Sequence, residues 1–225
     1  MVTLSCGDFI VREINERLHE LSDGTEVTIV ELWGRHNLVV GLANKLEITI
    51  DGNAGYFIGG LGDGPDIRVD GFVGWSVGEN LMGGTVRVMS NASECAGASS
   101  HGGHVIIHGD ASSRAGISLK GGNILVAGDV GHMSGFMAQA GYLLIGGDAG
   151  DGLGDSLYEA VIYVGGTVKS LGSDARVEEL TAADVATVRQ LVDFAGFDHI
   201  IPEDVTRIAS AKELYNFDAL KDHKY

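Results

Sequence analysis

The chain has 225 residues, of which 44% are hydrophobic, so it is long enough to bury a sizeable core in one large domain or two small ones. Its formal net charge is -16 at pH 7, and its Lys and Arg residues are not clustered, which argues against nucleic acid or an anionic membrane as a partner. The two cysteines are far apart, and the sequence has no pattern of a secretory signal or a bilayer-spanning run. We therefore expect a cytoplasmic protein with reduced thiols.

The first 44 residues are predicted to form a lead-in helix followed by two entry strands. Residues 5–8 have the pattern of a capping box, and the Ser-Asp-Gly of residues 22–24 is expected to end the helix. Between them the apolar residues recur at helical spacing: Ile10, Ile14, Leu18 and Leu21. Residues 27–32 and 38–42 have the composition of two short strands.

From residue 45 to about residue 168 the sequence repeats every 19 residues, seven times in a row. Each copy carries two apolar residues two positions apart, which the alternation of a strand sends to one face. These pairs are Ile48/Ile50, Ile67/Val69, Val86/Val88, Val105/Ile107, Ile124/Val126, Leu143/Ile145 and Ile162/Val164. Stacked at about 4.8 Å per copy, they form a dry interior about 30 Å long. The repeat predicts an all-β core, a single-stranded parallel β-helix of about seven coils. Because the six-residue period of the left-handed type is absent, we expect it to be right-handed.

Two other columns of the repeat support this fold. Small apolar residues that we expect to face inward recur at Ala54, Val73, Ala92, Ala111, Val130 and Ala149. A column filled only by glycine indicates that a side chain does not fit there; it contains Gly59, Gly78, Gly97, Gly116, Gly135 and Gly154.

Residues 169–225 change character. Residues 181–184 have the pattern of a capping box, and Gly196 is expected to end the helix that follows. Its apolar stripe is Val185, Val188, Leu191 and Val192, and a shorter helix is predicted after Pro202. We expect these pieces to cap the open ends of the β-helix, which divides the chain into residues 1–44, 45–168 and 169–225.

Two sets of polar residues are candidates for chemistry. His104 and His108 share an outer face but lie roughly 13 Å apart along a strand, and with His101 they have few good ligands nearby, which disfavours a metal site. Each residue of the Asp column follows a glycine at a corner, and Gly followed by Asp is favoured in turns, which is the interpretation that we prefer. The column contains Asp110, Asp129 and Asp148. Arg68 and Arg87 are interpreted as a surface charge ladder with Asp66 and Asp70. No catalytic, cofactor-binding or metal-binding residue is predicted.

Two apolar features call for a covering surface, and we predict both as partner contacts. On the outward face of the strands, polar residues give way to Ile106, Leu125, Leu144 and Tyr163. Large side chains also crowd a turn that is small in neighbouring copies: His132, Met133, Phe136 and Met137. Cover by the terminal helices is the alternative for the first set, and end packing for the second.

The spacing G-x-x-G-x-x-x-G, as at Gly71, Gly74 and Gly78, resembles the GXGXG β-helix domain at the C-terminal end of the glutamate synthase large subunit. The same domain type occurs as a separate chain of formylmethanofuran dehydrogenase. Residues 131–139, 150–160 and 210–217 more specifically resemble the chain of N-methylglutamate synthase that carries this domain. The sequence departs from the pattern at Ser90, Ser93 and Ser112, which occupy glycine positions.

The resemblance implies a non-catalytic structural subunit of an N-methylglutamate synthase complex, also called methylamine-glutamate N-methyltransferase. Such a complex joins methylamine to L-glutamate and releases ammonia. The implied partners are an amidotransferase-like subunit and an FMN-binding synthase subunit, the latter with an iron–sulfur cluster as a further candidate cofactor. This chain is expected to bind no cofactor itself.

Two alternatives stay open. The chain could be the equivalent scaffold of a split glutamate synthase or of a formylmethanofuran dehydrogenase-type complex. It could also be a self-sufficient β-helix enzyme or sugar-binding protein, which predicts a groove lined with carboxylates and Lys or Arg.

Overall fold

The repeat folds into a parallel β-solenoid, seen in a computed structural model that describes residues 1–211. Within this range the strands form one sheet in the order β1-β2-β3-β4-β5-β6-β7-β8-β9-β11-β10, accompanied by two helices. The elements are β1 (Val2–Ser5), α1 (Val11–His19), β2 (Glu26–Val30), β3 (Glu47–Ile50), β4 (Asp63–Val69), β5 (Gly83–Val88), β6 (His104–Ile107), β7 (Lys120–Val126), β8 (Ala140–Ile145), β9 (Val161–Val164), β10 (Ala175–Glu178), α2 (Ala182–Ala195) and β11 (Thr206–Ser210).

Strands β3 to β9 stack in parallel with the register that the 19-residue period predicts. Ile48 pairs with Ile67, Ile67 with Val86, and the same pairing continues along the stack. All fourteen predicted inward residues are at most 2% exposed and belong to one core cluster. The small apolar column also faces this core, because all six of its residues are buried in the same cluster, and parallel bridges connect the column from Ala54 to Val168. The predicted all-β architecture is therefore confirmed, and its right-handed sense stays a prediction.

The glycine column owes its composition to backbone conformation and to close packing. Its six members have φ between +64° and +70°, a backbone conformation in which residues other than glycine are strained. A Cβ at Gly97 would also lie 2.1 Å from Cδ1 of Ile124, whereas at Gly116 the nearest atom is 3.7 Å away. The prediction that a side chain does not fit is thus correct at Gly97, while at Gly116 the backbone conformation is the reason.

The N-terminal segment differs from its prediction. Residues 2–5 form β1, which pairs in parallel with β2, so Ser5 does not cap the first helix. Helix α1 begins after Ile10, whose N–H donates to the Glu13 carboxylate at 3.0 Å. Residues 38–42 form no regular strand, although Leu38, Val39 and Leu42 are buried, and Val39 has a φ of +60°. α1 inserts Ile14 and Leu18 into the solenoid core and so extends it towards the N-terminus.

The C-terminal segment also departs from a simple cap. The capping box at Thr181 and the left-handed end at Gly196 are confirmed, and α2 runs between them. The predicted helix after Pro202 is wrong, because the chain instead makes a turn and then β11, which pairs antiparallel with β9 and with β10. Residues 212–225, which include most of the string 210–217, lie outside the described part.

Candidate functional site

The outer face of the sheet is covered by α2 over its later strands. The outward residues Ile106, Leu125, Leu144 and Tyr163 are at most 1% exposed, and they form a second core with side chains of α2 and of the segment after it. These α2 side chains are Val188, Leu191, Val192 and Ala195. The prediction of a partner contact at the four outward residues is therefore wrong. The alternative, cover by a terminal helix, is correct, because the apolar stripe of α2 removes them from water.

A buried polar cluster attaches the first turn of α2 to the sheet. The Tyr163 hydroxyl donates to Oδ1 of Asp184 at 2.8 Å, and Nε of Arg207 donates to the same oxygen at 2.9 Å. Burial alone would raise the pKa of Asp184, but hydrogen bonds from Thr181, Tyr163 and Arg207 outweigh it and lower the pKa to about 2. Burial and the bond to Asp184 raise the pKa of Tyr163 above its ordinary value. The cluster serves attachment of the helix.

The other end of α2 is held by Arg87. Its guanidinium donates to the Ala195 carbonyl at 2.8 Å and to Nε2 of His108 at 3.2 Å. α2 has no basic residue in its last turn, so Arg87 supplies the cation that the C-terminal end of a helix favours. Only the Arg68 side of the predicted charge ladder is confirmed, since Arg68 pairs with Asp70 at 2.6 Å while Arg87 points to the helix.

The histidines of β6 lie beneath α2. His104 accepts from Nδ2 of Asn123 at 3.0 Å, and its ring lies tilted against that of Phe194 with the centroids 4.3 Å apart. The rings of His108 and Phe197 make a T-shaped contact. Burial, and secondly the charge of Arg87, lower the pKa of both imidazoles. Among residues 1–211 no group of three or more His, Cys, Asp or Glu side chains is arranged to hold a metal ion.

A polar recess of about 370 Å³ remains open on the outer face before α2. Its charged lining residues are Glu26, Glu47, Asp66, Arg68 and Arg87. This is the composition that the sugar-binding alternative predicts. However, both guanidiniums are already engaged, one by Asp70 and the other by the Ala195 carbonyl.

The side chains of the aspartate column accept backbone N–H groups and so stabilise one corner of the coil. Asp110 accepts the N–H of Asp129 at 2.9 Å, Asp129 accepts that of Asp148 at 2.7 Å, and Asp148 accepts that of Thr167 at 2.7 Å. Asn53 and Asn91 do the same for the residues that follow them in the column. The backbone bond from Thr167 lowers the pKa of Asp148. The structural interpretation of these carboxylates is thus confirmed.

Phe72 breaks this column. It lies between Asn53 and Asn91, where every other side chain from Asn53 to Asp148 accepts a backbone N–H, and its ring cannot. The ring is instead 52% exposed. Phe72 therefore lacks the side-chain acceptor that the other members supply at this corner, and it exposes a large apolar surface to water.

A second exposed column of rings lies beside it. Backbone bonds place His36, Tyr56 and Trp75 in successive coils: Asn37 donates to Tyr56 and Phe57 donates to Trp75. His36 and Tyr56 stack with centroids 3.9 Å apart, and Trp75 is 61% exposed.

Between the two columns runs a groove of about 770 Å³, which we call the aromatic groove. Its lining residues are Gly34, His36, Ala54, Gly55, Tyr56, Phe72, Val73, Gly74, Trp75, Ser90, Asn91, Ala92 and Ser93. A smaller recess adjoins it through Gly34 and Phe72 and is lined by Trp33, 73% exposed, and by Glu31 and Asp51. Among residues 1–211, neither set of lining residues contains Lys or Arg. The site is apolar with an acidic edge.

The second predicted contact segment lies further along the same edge. The column of Tyr56 and Trp75 continues through Glu94 and Ser113 to His132, as successive backbone bonds show. His132 is exposed, and three neighbours are partly exposed: Met133, Phe136 and Met137. The structure therefore leaves this segment at the surface, about 14 Å along the stack from Trp75.

Sequence reasoning missed the aromatic groove, although a signal was present. Phe72 interrupts a column otherwise made of Asn and Asp up to Asp148, and Trp75 stands in a column whose later members are small or polar. Both tryptophans of the chain, Trp33 and Trp75, line the groove or its adjoining recess. Comparing residues down each outer column would have found the site.

Comparisons with known proteins give partial similarity. No protein-family model matches the chain. Protein GlxC of Rhizobium meliloti (strain 1021) is 42% identical over 62 residues, which are 28% of this chain and 27% of that protein. The chain thus matches about a quarter of the length of this curated relative. Neither helix within residues 1–211 is long and apolar enough to cross a bilayer.

Proposed function

We propose that the chain is a non-catalytic structural subunit of a glutamate-synthase-like complex, an N-methylglutamate synthase. The observation that carries the proposal is one exposed edge of the solenoid, where the aromatic groove and the segment around Phe136 lie on one side of an acidic scaffold. Exposed aromatic and Met side chains of this kind are typical of protein contacts. The sequence resemblance and the similarity to Protein GlxC support the same family of complexes.

In this proposal the chemistry lies in sister subunits, one amidotransferase-like and the other an FMN-binding synthase. Together they convert methylamine and L-glutamate to N-methyl-L-glutamate and ammonia, and an iron–sulfur cluster is a further candidate in the synthase. This chain braces them, because a solenoid with a continuous core offers a rigid surface. The equivalent role in a split glutamate synthase or a formylmethanofuran dehydrogenase-type complex is the nearest alternative.

The test is affinity purification of the tagged full chain from its native cell, with mass spectrometry of the partners and a visible absorbance spectrum. The expected result is co-purification of both sister subunits with a flavin spectrum, together with methylamine-dependent formation of N-methylglutamate. Isolation of a colourless chain without partners would overturn the proposal. Replacing Phe136 and Met137 by Asp is expected to separate the complex while leaving the solenoid folded, and unchanged assembly would remove that segment from the contact.

A self-sufficient sugar-binding protein is favoured only by the polar recess on the outer face of the sheet. Titration of the purified chain with acidic and neutral oligosaccharides tests it. Saturable binding that is lost in Glu47→Gln, a change in the recess lining, would favour this function over the scaffold role.

A further inference from the structure

The aromatic groove has no cover within the described residues. The apolar column on the outer sheet face is covered by α2 and the segment after it, whereas Phe72 and Trp75 of the groove are 52% and 61% exposed and Trp33 of the adjoining recess is 73% exposed. Large aromatic side chains in such a continuous patch mark an interaction site in a soluble protein. The pattern indicates a ligand from outside this part of the chain.

We propose that the aromatic groove binds an extended, polyproline-type segment of a partner protein that carries at least one Lys or Arg. The proposal rests on the proposed function only in taking a sister subunit as the source of the segment. Four properties of the groove support it: its engaged backbone, its free indole donors, its length and its charge.

The backbone of the groove cannot add another strand. Ala54 donates to Phe72, Val73 donates to Asn91, and Gly74 donates to Ala54 and Gly55 of the preceding coil. These coil-to-coil bonds use the N–H groups that an added strand would need. A bound segment must therefore be one that needs no ladder of backbone bonds, which is the property of the polyproline helix.

The rings supply what such a segment needs. Proline and other apolar side chains pack on aromatic faces, while the carbonyls of a polyproline helix stay free to accept hydrogen bonds. Within residues 1–211 the indole N–H groups of Trp33 and Trp75 have no hydrogen-bond partner, so both are available as donors. The distance along the stack from His36 to Ser93, about 14 Å, corresponds to roughly five residues of a polyproline helix.

The polar lining disfavours a sugar in this groove. Oδ1 of Asn91 accepts the N–H of Asp110 at 2.9 Å, and Nδ1 of His36 accepts that of Tyr56 at 3.1 Å. These bonds occupy the single Nδ1 lone pair of His36 and one of the two lone pairs of the Asn91 oxygen, which reduces the capacity of the lining to accept from sugar hydroxyls. An apolar ligand suits the remaining surface better.

Charge complementarity indicates a basic residue in the segment. The recess next to the groove contains the carboxylates of Glu31 and Asp51, and Glu94 follows Trp75 in its column. Arg35, the cation nearest in sequence, is not among the lining residues. With a chain charge of -16, a cationic flank on the segment is attracted both locally and at long range.

The test uses the intrinsic fluorescence of the full chain, because both of its tryptophans report on this site. The probe is the synthetic peptide RPLPPLPR, compared with EPLPPLPE, which reverses the charge, and with RALAALAR, which removes the proline. We expect saturable binding of RPLPPLPR and at least about tenfold weaker binding of either control. The charge effect is expected to shrink at high salt.

Three variants locate the site. Phe72→Asn and Trp75→Ser install residue types found elsewhere in the same columns, as at Asn91 and Ser113, so the corner is expected to keep its fold. Each is expected to weaken the binding of RPLPPLPR by about tenfold. Leu61→Ser is the matched control, because it also removes an exposed apolar side chain, but outside the groove, and is expected to change binding by less than about twofold. Circular dichroism checks the fold of each variant.

Several results would overturn the proposal. These are no saturable change with RPLPPLPR, equal binding of the charge-reversed peptide, or binding that Phe72→Asn leaves unchanged. Self-association of the chain that Phe72→Asn abolishes would identify a second copy as the ligand, and oligosaccharide binding that it abolishes would identify a sugar.

The affinity purification separates this proposal from the proposed function. If the sister subunits co-purify equally with the wild type and with Trp75→Ser, and the chain binds no peptide, the scaffold role is supported and peptide binding by the groove is excluded. If the chain binds the peptide but no sister subunit co-purifies, peptide binding by the groove is supported and the scaffold role is excluded.

Discussion

The early and late coils of the solenoid have opposite outer surfaces, although their inner faces are alike. In the early coils the outer face of the sheet is polar, with Thr49 and Arg68, and the corner is aromatic. In the later coils the outer face is apolar at Leu125 and Leu144, and the corner carries the aspartate column. Both halves bury the same ladder of inward residues.

The difference shows that the type of an outer residue depends on whether another segment covers it, whereas the type of an inner residue depends on the repeat. An inward residue meets its equivalent in the next coil whatever lies outside, so Ile and Val recur throughout. An outward apolar residue is favourable only where another surface removes it from water. α2 does this for the late coils, and we have proposed a partner segment for the early ones.

The largest expected effect compares two positions of one outward column. Leu125→Ala is expected to lower the free energy of unfolding by about 3 kcal/mol, because it leaves a cavity beneath α2. Thr49→Ala, in the same column but on the open half, is expected to cost less than about 0.5 kcal/mol. Urea denaturation measures both, and equal costs would contradict the difference between the halves.

The polar attachment of α2 comes next. Asp184→Asn is expected to cost about 2 kcal/mol, because Arg207 and Tyr163 lose a charged acceptor in a buried cluster. The folded-state pKa of Asp184 is depressed, so its contribution is present above the ordinary value of 3.8 and is lost as the pH falls towards about 2. Asp193→Asn, on the exposed side of the same helix, is the control and is expected to be neutral. A neutral Asp184→Asn would show that the cluster does not hold the helix.

A smaller effect is expected from substitutions at the corner in the two halves. Asp129→Ala is expected to cost about 1 kcal/mol, because the Asp148 N–H loses its acceptor. Phe72→Asn is expected to change the free energy of unfolding by less than about 0.5 kcal/mol, since the new amide can accept from the next coil as Asn53 and Asn91 do. A large loss of stability in Phe72→Asn would mean that the ring stabilises the fold, so that its presence would not indicate a binding role.

The smallest predicted effect concerns pH and only the late half. Burial and the Arg87 charge depress the pKa of His104 and His108, so the unfolded state takes up protons first as the pH falls below the ordinary value of 6.5. Stability is therefore expected to be complete at about pH 8 and to decrease towards about pH 5.5, with Arg87 and Arg68 opposing protonation from the sheet. Urea midpoints across this range measure the effect. The double variant His104→Gln/His108→Gln should show a flatter profile, and an unchanged profile would exclude these histidines as its source.

The sequence by itself determined the coil and its interior. Alternation within each strand and an unbroken 19-residue period specify which side chains face inward and which residues stack, from Ile48 to Val164. Both are local properties repeated in register, so they can be inferred without knowing where distant segments go. The glycine column and the Asp corner follow from the same regularity, because each coil must turn at the same places.

Only the tertiary structure decided which outer surfaces are covered. Arg87 meets the Ala195 carbonyl across 108 positions in sequence, and no periodicity predicts that contact. The same docking of α2 buries Leu125 and Leu144, which sequence reasoning had assigned to a partner, and leaves the aromatic groove open. Cover of an outer face depends on where a non-repeating segment packs, and that choice is made by long-range burial and hydrogen bonding.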